Sequence, residues 1–236
     1  MLAAILCSSS DKLNNPQIQI PGNVAYALRH VRGDITVTVI DMDRDSIVGI
    51  QRAAVNDELL WDMAIGPDGM LYLTMCEKDF DHYGKVIRVF DPGKGVIVSD
   101  IEVDPDPVQI YGLPDGRAVI AHTLDDGTFA TTVLQMAERK VDTVLRLVPM
   151  LNQVLFSPAG ESYLYYDPWT SSFPKGTMYR LGPQVDTLSA VAVFDDTLMG
   201  FGPVFGTSSK LYSCYLSSVK VHEFLPGVSL RKSQLG

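Results

Sequence analysis

The sequence predicts an all-β chain, a β-propeller of four-stranded antiparallel blades, on three observations. One phrase recurs along the whole chain: a short apolar run, a Pro/Gly turn and a second apolar run. It reads DMAIGPDGMLYLTM (62–75), QIYGLPDGRAVIAH (109–122), VLFSPAGESYLYY (154–166) and GFGPVFGTSSKLYSCY (200–215), with a weaker copy, QIQIPGNVAYALRH (17–30), at the start. Equivalent positions Tyr26, Tyr72, Val119, Leu164 and Tyr212 are 46, 47, 45 and 48 residues apart, a period that belongs to propellers and solenoids. Finally, no segment sustains an apolar period of 3.6, so helix should be scarce.

Each repeat resolves into strands A to D. After a tail over 1–15, one domain covers 16–236, with repeats near 16–52, 60–103, 107–147, 152–194 and 198–231. In the first repeat QIQI and NVAYALRH precede C (DITVTVID) and D (SIVGIQ). The second is the clearest: A is LLWDMAI, B is MLYLTM, C is KVIRVFD and D is VIVSDIEV. Its C strand sets Val86, Ile87, Val89 and Phe90 around Arg88, between clusters of Gly, Pro and Asp that favour turns. The third gives C as FATTVLQM and D as KVDTVLRL, the fourth GTMYRL and VDTLSAVAVF, the fifth SVKVHEF and GVSLRK. A single four-stranded sheet cannot bury both faces; stacking blades around an axis does so and leaves only short edges. Every repeat runs A to D and no blade mixes the two termini. The expectation is five blades in this chain; a share of a larger propeller is the competing reading.

The strings TVTVIDMDRDSIVGIQ and AIGPDGMLYLTM resemble the YVTN-type repeats of surface-layer-like and periplasmic bacterial propellers. Those repeats read roughly PDG-x-x-LYV and VxVID-x-x-x-x-x-VV. The first two repeats fit best. The third and fourth carry Met136 and Gly182 where the VID aspartate stands, and the fifth fits poorly. The resemblance spans nearly the whole chain and implies fold. Propellers of this kind include adhesive, scaffolding and enzymatic members.

With 46% hydrophobic and 20% charged residues, the chain belongs with packed globular proteins. Its 28 acidic against 19 basic residues leave a net charge of -9, which argues against nucleic acid as a partner because phosphate binding needs Lys and Arg. A protein, a peptide or a glycan is the expected partner. Cys7, Cys76 and Cys214 are too few and too scattered for a disulfide framework or a CxxC zinc site. The opening MLAAILCSSSDK resembles the tail of a bacterial lipoprotein signal in which Cys7 would be lipidated, although Leu6 replaces a small residue and no basic segment precedes it. This reading places the protein in the periplasm or at the cell surface; an ordinary chain start is the alternative. No segment reaches transmembrane length.

Propeller geometry puts A–B and C–D turns on one face, B–C and D–A loops on the other. The first set is terse. The second is long and polar, with B–C loops at 30–34, 76–84, 122–127, 166–176 and 213–218 and D–A loops at 53–58 and 103–107. This rim holds Asp57, Glu58, Glu77, Asp79, Asp81, Asp104, Asp106, Asp125, Asp126 and Asp167, three of the four histidines (His30, His82, His122), and Trp61, Tyr83 and Trp169. Irregular loops on one rim of a rigid scaffold are where binding concentrates. We therefore assign Trp61, Asp79, Asp81, His82, His122, Asp125 and Trp169 to ligand binding, with no catalytic residue and no metal ligand.

Bland readings compete with each assignment. Asp is common in turns because its carboxylate accepts from nearby backbone N–H groups. DFDHYG lacks the spacing of a calcium loop, so no cofactor is expected, with a divalent cation on carboxylate and imidazole donors as the competing reading. His30 and His122 both close B strands, where solvated strand ends are common, and core packing competes for Trp61. Arg32-Gly33-Asp34 is ordinary turn chemistry. GxSxG and phosphate-loop motifs are absent. The expected function is a non-catalytic binding or scaffold propeller. The alternative is a metal-assisted hydrolase or lactonase at the channel mouth, using His82, His122 and rim carboxylates. Convergence of these groups on one point would separate the two.

Overall fold

Strand-forming runs bounded by Gly, Pro and Asp become nineteen strands, with no helix among the described residues. In this computed structural model those are 15–31, 34–53, 59–76, 84–123, 129–145, 151–157, 159–166, 176–182, 188–194, 204–205, 210–215, 218–223 and 231–232. The first sheet holds β1 (Val24–Val31), β2 (Asp34–Asp41) and β3 (Ser46–Arg52). The second holds β4 (Leu59–Ile65), β5 (Leu71–Cys76), β6 (Val86–Asp91) and β7 (Val96–Glu102). The third holds β8 (Pro107–Gly112), β9 (Arg117–Thr123), β10 (Phe129–Gln135) and β11 (Lys140–Leu145). In the fourth are β12 (Leu151–Phe156), β13 (Ser162–Tyr166), β14 (Gly176–Leu181) and β15 (Leu188–Phe194). The fifth comprises β16 (Val204–Phe205), β17 (Lys210–Tyr215), β18 (Ser218–Glu223) and β19 (Arg231–Lys232). Within every sheet the strands pair antiparallel in chain order.

The expectation of five four-stranded sheets therefore needs correction: four have four strands and the first has three. The segment QIQI is not a strand. Pro16 and Pro21 flank it, and proline cannot donate to a ladder. Residues 15–20 instead strap the outer groove between the first two sheets. Ile18 N donates to Gly93 O at 2.8 Å, and Asn15 Nδ2 reaches Arg52 O and Gly95 O at 2.8 and 2.7 Å. Gln51 Nε2 donates to Pro16 O at 2.8 Å, and Ile18 packs directly on Gly49, where a Cβ would collide with it.

Neighbouring sheets meet through their first strands: β4 and β5 lie against β8, and β12 against β16. These strands are the inner ones. The core is a series of seams between sheets. Leu60, Leu71, Leu73 and Phe90 face Ile35 and Val37 of the first sheet. Tyr72 and Val89 face Ala118 and Ile120 of the third. Val119 and Val133 face Leu151 and Leu164 of the fourth. Among the described residues, only one face of the first sheet is covered. Its other face carries Ala25, Ile40 and Ile47 in one row and Ala27, Thr38 and Ile50 in the next, and Ile47 and Ile50 are 64% and 54% exposed.

The turns repeat in detail. Gly69, Gly116 and Gly160 all have positive φ, at 75°, 87° and 78°. Each donates to the residue three before it, Gly66, Leu113 or Ser157. This turn side is locked across sheets. Tyr72 Oη donates to Met136 O at 2.5 Å and Arg117 Nη2 to Gly182 O at 3.2 Å. Burial first, then Asp68, pushes the Tyr72 hydroxyl up to about 12, so it stays a donor. The VID aspartates cap their own turns: Asp41 Oδ1 accepts from Asp43 N and Arg44 N, and Asp91 Oδ1 from Gly93 N and Lys94 N.

Candidate functional site

At the opposite end, three inner strands carry the same irregularity. The ladder skips one residue at Trp61 in β4, at Val108 in β8 and at Asn152 in β12. A β-bulge of this kind re-aims a side chain and frequently stands beside a functional site. The residue after each bulge is polar: Asp62, Gln109 and Gln153. Asp62 binds the second sheet to the third, because its Oδ1 accepts from Met63 N at 2.8 Å and its Oδ2 from Ile110 N at 3.1 Å. Gln109 Oε1 is buried with no hydrogen-bond partner among the described residues.

His122 ends the inner part of β9 at the same rim, pairing with Pro107 and Ala130. It is 1% exposed, not a solvated strand end. Its Nδ1 lies 3.1 Å from Pro105 O, and a carbonyl only accepts, so Nδ1 carries the proton. Nε2 is then a lone-pair acceptor, buried and without a partner among the described residues. Burial holds the imidazole below its ordinary pKa, outweighing the opposite pull of Pro105 and Asp104. His122 is consequently neutral at neutral pH. The loop that presents Pro105 is fixed on both sides. Val103 N donates to Lys85 O at 2.9 Å, Asp106 N to Gly84 O at 2.8 Å, and Thr123 N to Asp106 O at 3.2 Å. Asp106 is buried with φ at 53°, a conformation that costs a non-glycine residue about 1 kcal/mol or more and gathers at functional sites.

Of the residues assigned from sequence, two fall among the described ones and stand on adjacent sheets at one rim. Trp61 is 51% exposed on β4, and His122 is buried on β9. Asp79, Asp81, His82, Asp125 and Trp169 lie outside the described residues. Among the described residues no three His, Cys, Asp or Glu side chains are placed to hold a metal ion, and no helix is long and apolar enough to cross a membrane. Sequence reasoning missed Asp62, Gln109 and the bulges. The signal for the polar residues was there, though not for the bulges: positions 62, 109 and 153 are polar, where core alternation alone asks for an apolar residue.

An open cleft of about 680 Å³ lies on the turn side, between the strap and the first sheet, bordered by Ile18, Ile20, Asp41, Asp43, Arg44 and Val48. Its charged groups are already engaged, Arg44 with Asp41 at 3.5 Å and Asp43 with Asn23 at 2.8 Å. It offers no convergent chemistry comparable with the His122 rim.

Antiparallel sheets whose first strands converge, locked on one side by turns and carrying a buried imidazole on the other, define a propeller-like all-β protein. No protein-family model matches the chain, and no curated protein matches it. Solved structures do. One, from Bacteroides fragilis, is provisionally described as a 6-phosphogluconolactonase; it aligns with TM-score 0.61 and 14% identity over 91% of this chain and 67% of its own. A second, a protein from Lactobacillus plantarum, aligns with TM-score 0.59 and 10% identity over 92% of this chain and 69% of its own. At these identities the likeness is one of fold. It corrects the expectation of a non-catalytic scaffold, because a fold neighbour over nearly the whole chain carries an enzyme's description and fits the hydrolase alternative. The scaffold, lipoprotein and surface-protein expectations gain no support from either likeness.

Proposed function

We propose that the chain is a lactonase-type hydrolase that opens a sugar-derived lactone at the mouth between its inner strands. The five sheets are then its blades, and their sequences are read as YVTN-type repeats. The observation that carries the proposal is His122: a neutral, buried imidazole whose proton is fixed on Nδ1 by Pro105 and whose Nε2 accepts from no group among the described residues. A general base needs that state. In the proposed reaction Nε2 takes a proton from water as the water oxygen bonds to the lactone carbonyl carbon. The Pro105 carbonyl and the nearby Asp104 charge favour the imidazolium that forms. The bond from the carbonyl carbon to the ring oxygen then breaks, and the proton on Nε2 passes to that oxygen as it becomes a hydroxyl. The fold neighbour described as a 6-phosphogluconolactonase supports the substrate class.

The test is hydrolysis of glucono-1,5-lactone and its 6-phosphate, followed by acid release above the spontaneous rate. His122→Asn keeps an amide donor for Pro105 and removes the base. It should lower kcat by about 10²-fold or more with little change in melting temperature. No acceleration of either lactone by the wild-type chain would overturn the proposal.

A further inference from the structure

We infer that Trp61 is the platform on which the sugar ring of the substrate stacks, an inference that rests on the lactonase reading and names how its substrate is held. Residues two apart on a strand share a face. Yet Leu60 packs toward the first sheet, with Leu71 and Leu73, while Asp62 reaches the third sheet at Ile110 N. The skipped ladder position between them is Trp61. The bulge thus reverses the faces of its neighbours and leaves Trp61 on neither. It is 51% exposed, although Leu60 and Ala64 on the same strand are 8% and 6% exposed. A tryptophan recruited for packing would be drawn into one of the two seams. This one is held out of both.

The same bulge recurs at Val108 and Asn152, so it belongs to the scaffold. The aromatic residue belongs to the second sheet alone among these three. Its support is stiff: Asp62 N donates to Thr74 Oγ1 at 2.9 Å, and both Asp62 carboxylate oxygens accept backbone N–H groups. A platform that is already ordered loses little freedom when a ligand lands on it. Chemically, an indole offers a flat apolar face with a negative π surface. The complementary partner is a ring with an apolar C–H face and polar edges, as in a pyranose or its lactone. Gln109, the counterpart of Asp62 on the next inner strand, has a buried Oε1 without a partner among the described residues, which would serve as the acceptor for a hydroxyl at that edge.

Fluorescence and kinetics together test this. In a Trp169→Phe background Trp61 is the sole tryptophan, since the chain has two. Titration with methyl α-D-glucopyranoside, a ring no lactonase can hydrolyse, should quench its emission saturably. Trp61→Ala should raise KM for glucono-1,5-lactone about tenfold with kcat nearly unchanged, the mark of lost uniform binding, and Trp61→Phe should recover most of the loss. Unchanged KM in Trp61→Ala with normal turnover overturns the platform and leaves the lactonase reading standing. Saturable quenching without lactone hydrolysis upholds the platform and removes the lactonase reading. Absence of quenching together with a sharply lowered melting temperature in Trp61→Ala assigns the residue to packing and overturns the inference.

Discussion

Gly69 occupies a left-handed turn position, at φ 75°, with no atom beyond its own chain neighbours within 4 Å of where a Cβ would stand. Space is therefore not the constraint; backbone conformation is. Gly69→Val should cost about 1–3 kcal/mol, the penalty for a β-branched residue held at positive φ, and Gly69→Asn distinctly less. Urea unfolding of the two variants checks both values. His122 gives a second prediction at this scale. Its folded pKa is depressed by burial, while the unfolded chain titrates near the ordinary value of about 6.5. Below that value the unfolded form binds a proton that the native form does not. Stability is therefore full above about pH 6.5 and declines as pH falls toward the lowered native pKa. In His122→Asn this contribution is absent, so the drop in urea midpoint between pH 7.5 and 5.5 should shrink; an undiminished drop would locate the effect elsewhere. Asp91 and Asp115 act in a lower range. Burial pushes each up, but hydrogen bonds from Lys94 and Gly93 to Asp91, and from Arg117 to Asp115, leave both below the usual carboxylate range. Their contribution is held above that range and lost as pH falls through the folded values.

At the scale of elements, burial separates the two faces of a sheet. Leu73 on β5 is fully buried between the first and second sheets, while Ile50 on β3 is 54% exposed on the other face of the first sheet. Leu73→Ala should cost about 2–5 kcal/mol, whereas Ile50→Ser should stay within about 0.5 kcal/mol. Equal losses would mean that something covers the first sheet. The hairpins were legible in the sequence because a Pro-Asp-Gly turn between two apolar runs has one cheap solution. Asp68 and Asp115 do what turn chemistry asks, accepting from Met70 N and Arg117 N at 3.1 and 3.2 Å. The QIQI segment was misread because alternation of apolar and polar residues signals an extended chain but not its hydrogen-bonding partner. The flanking prolines were the evidence against a strand. Bulges at Trp61, Val108 and Asn152 were not legible, since a ladder skips a residue only when two strands are set in register.

On the scale of the whole molecule, one side interlocks the sheets and the other carries the proposed site. Turns interlock through Tyr72 with Met136 and Arg117 with Gly182, which fixes the sheets relative to one another and holds the inner strands in place. The opposite rim then presents Trp61, Asp62, Gln109 and His122 from two adjacent sheets. Of the proposed site, Trp61 and His122 and their common rim were legible in the sequence, because loop length and repeat phase are local properties. It could not assign their states. A solvated strand end competed for His122 because its burial depends on the loop at 103–107, which joins the second sheet to the third and sets Pro105 O against Nδ1. The repeat period, the strand order within each sheet and the turn chemistry were determined by the sequence alone, being set by hydrophobic alternation and by the backbone preferences of Gly, Pro and Asp. The three-stranded first sheet, the outward turn of Trp61 and the burial of His122 were decided only in the tertiary structure. They depend on which strands pair and which loops cover them, contacts between residues far apart in the chain that no local pattern encodes.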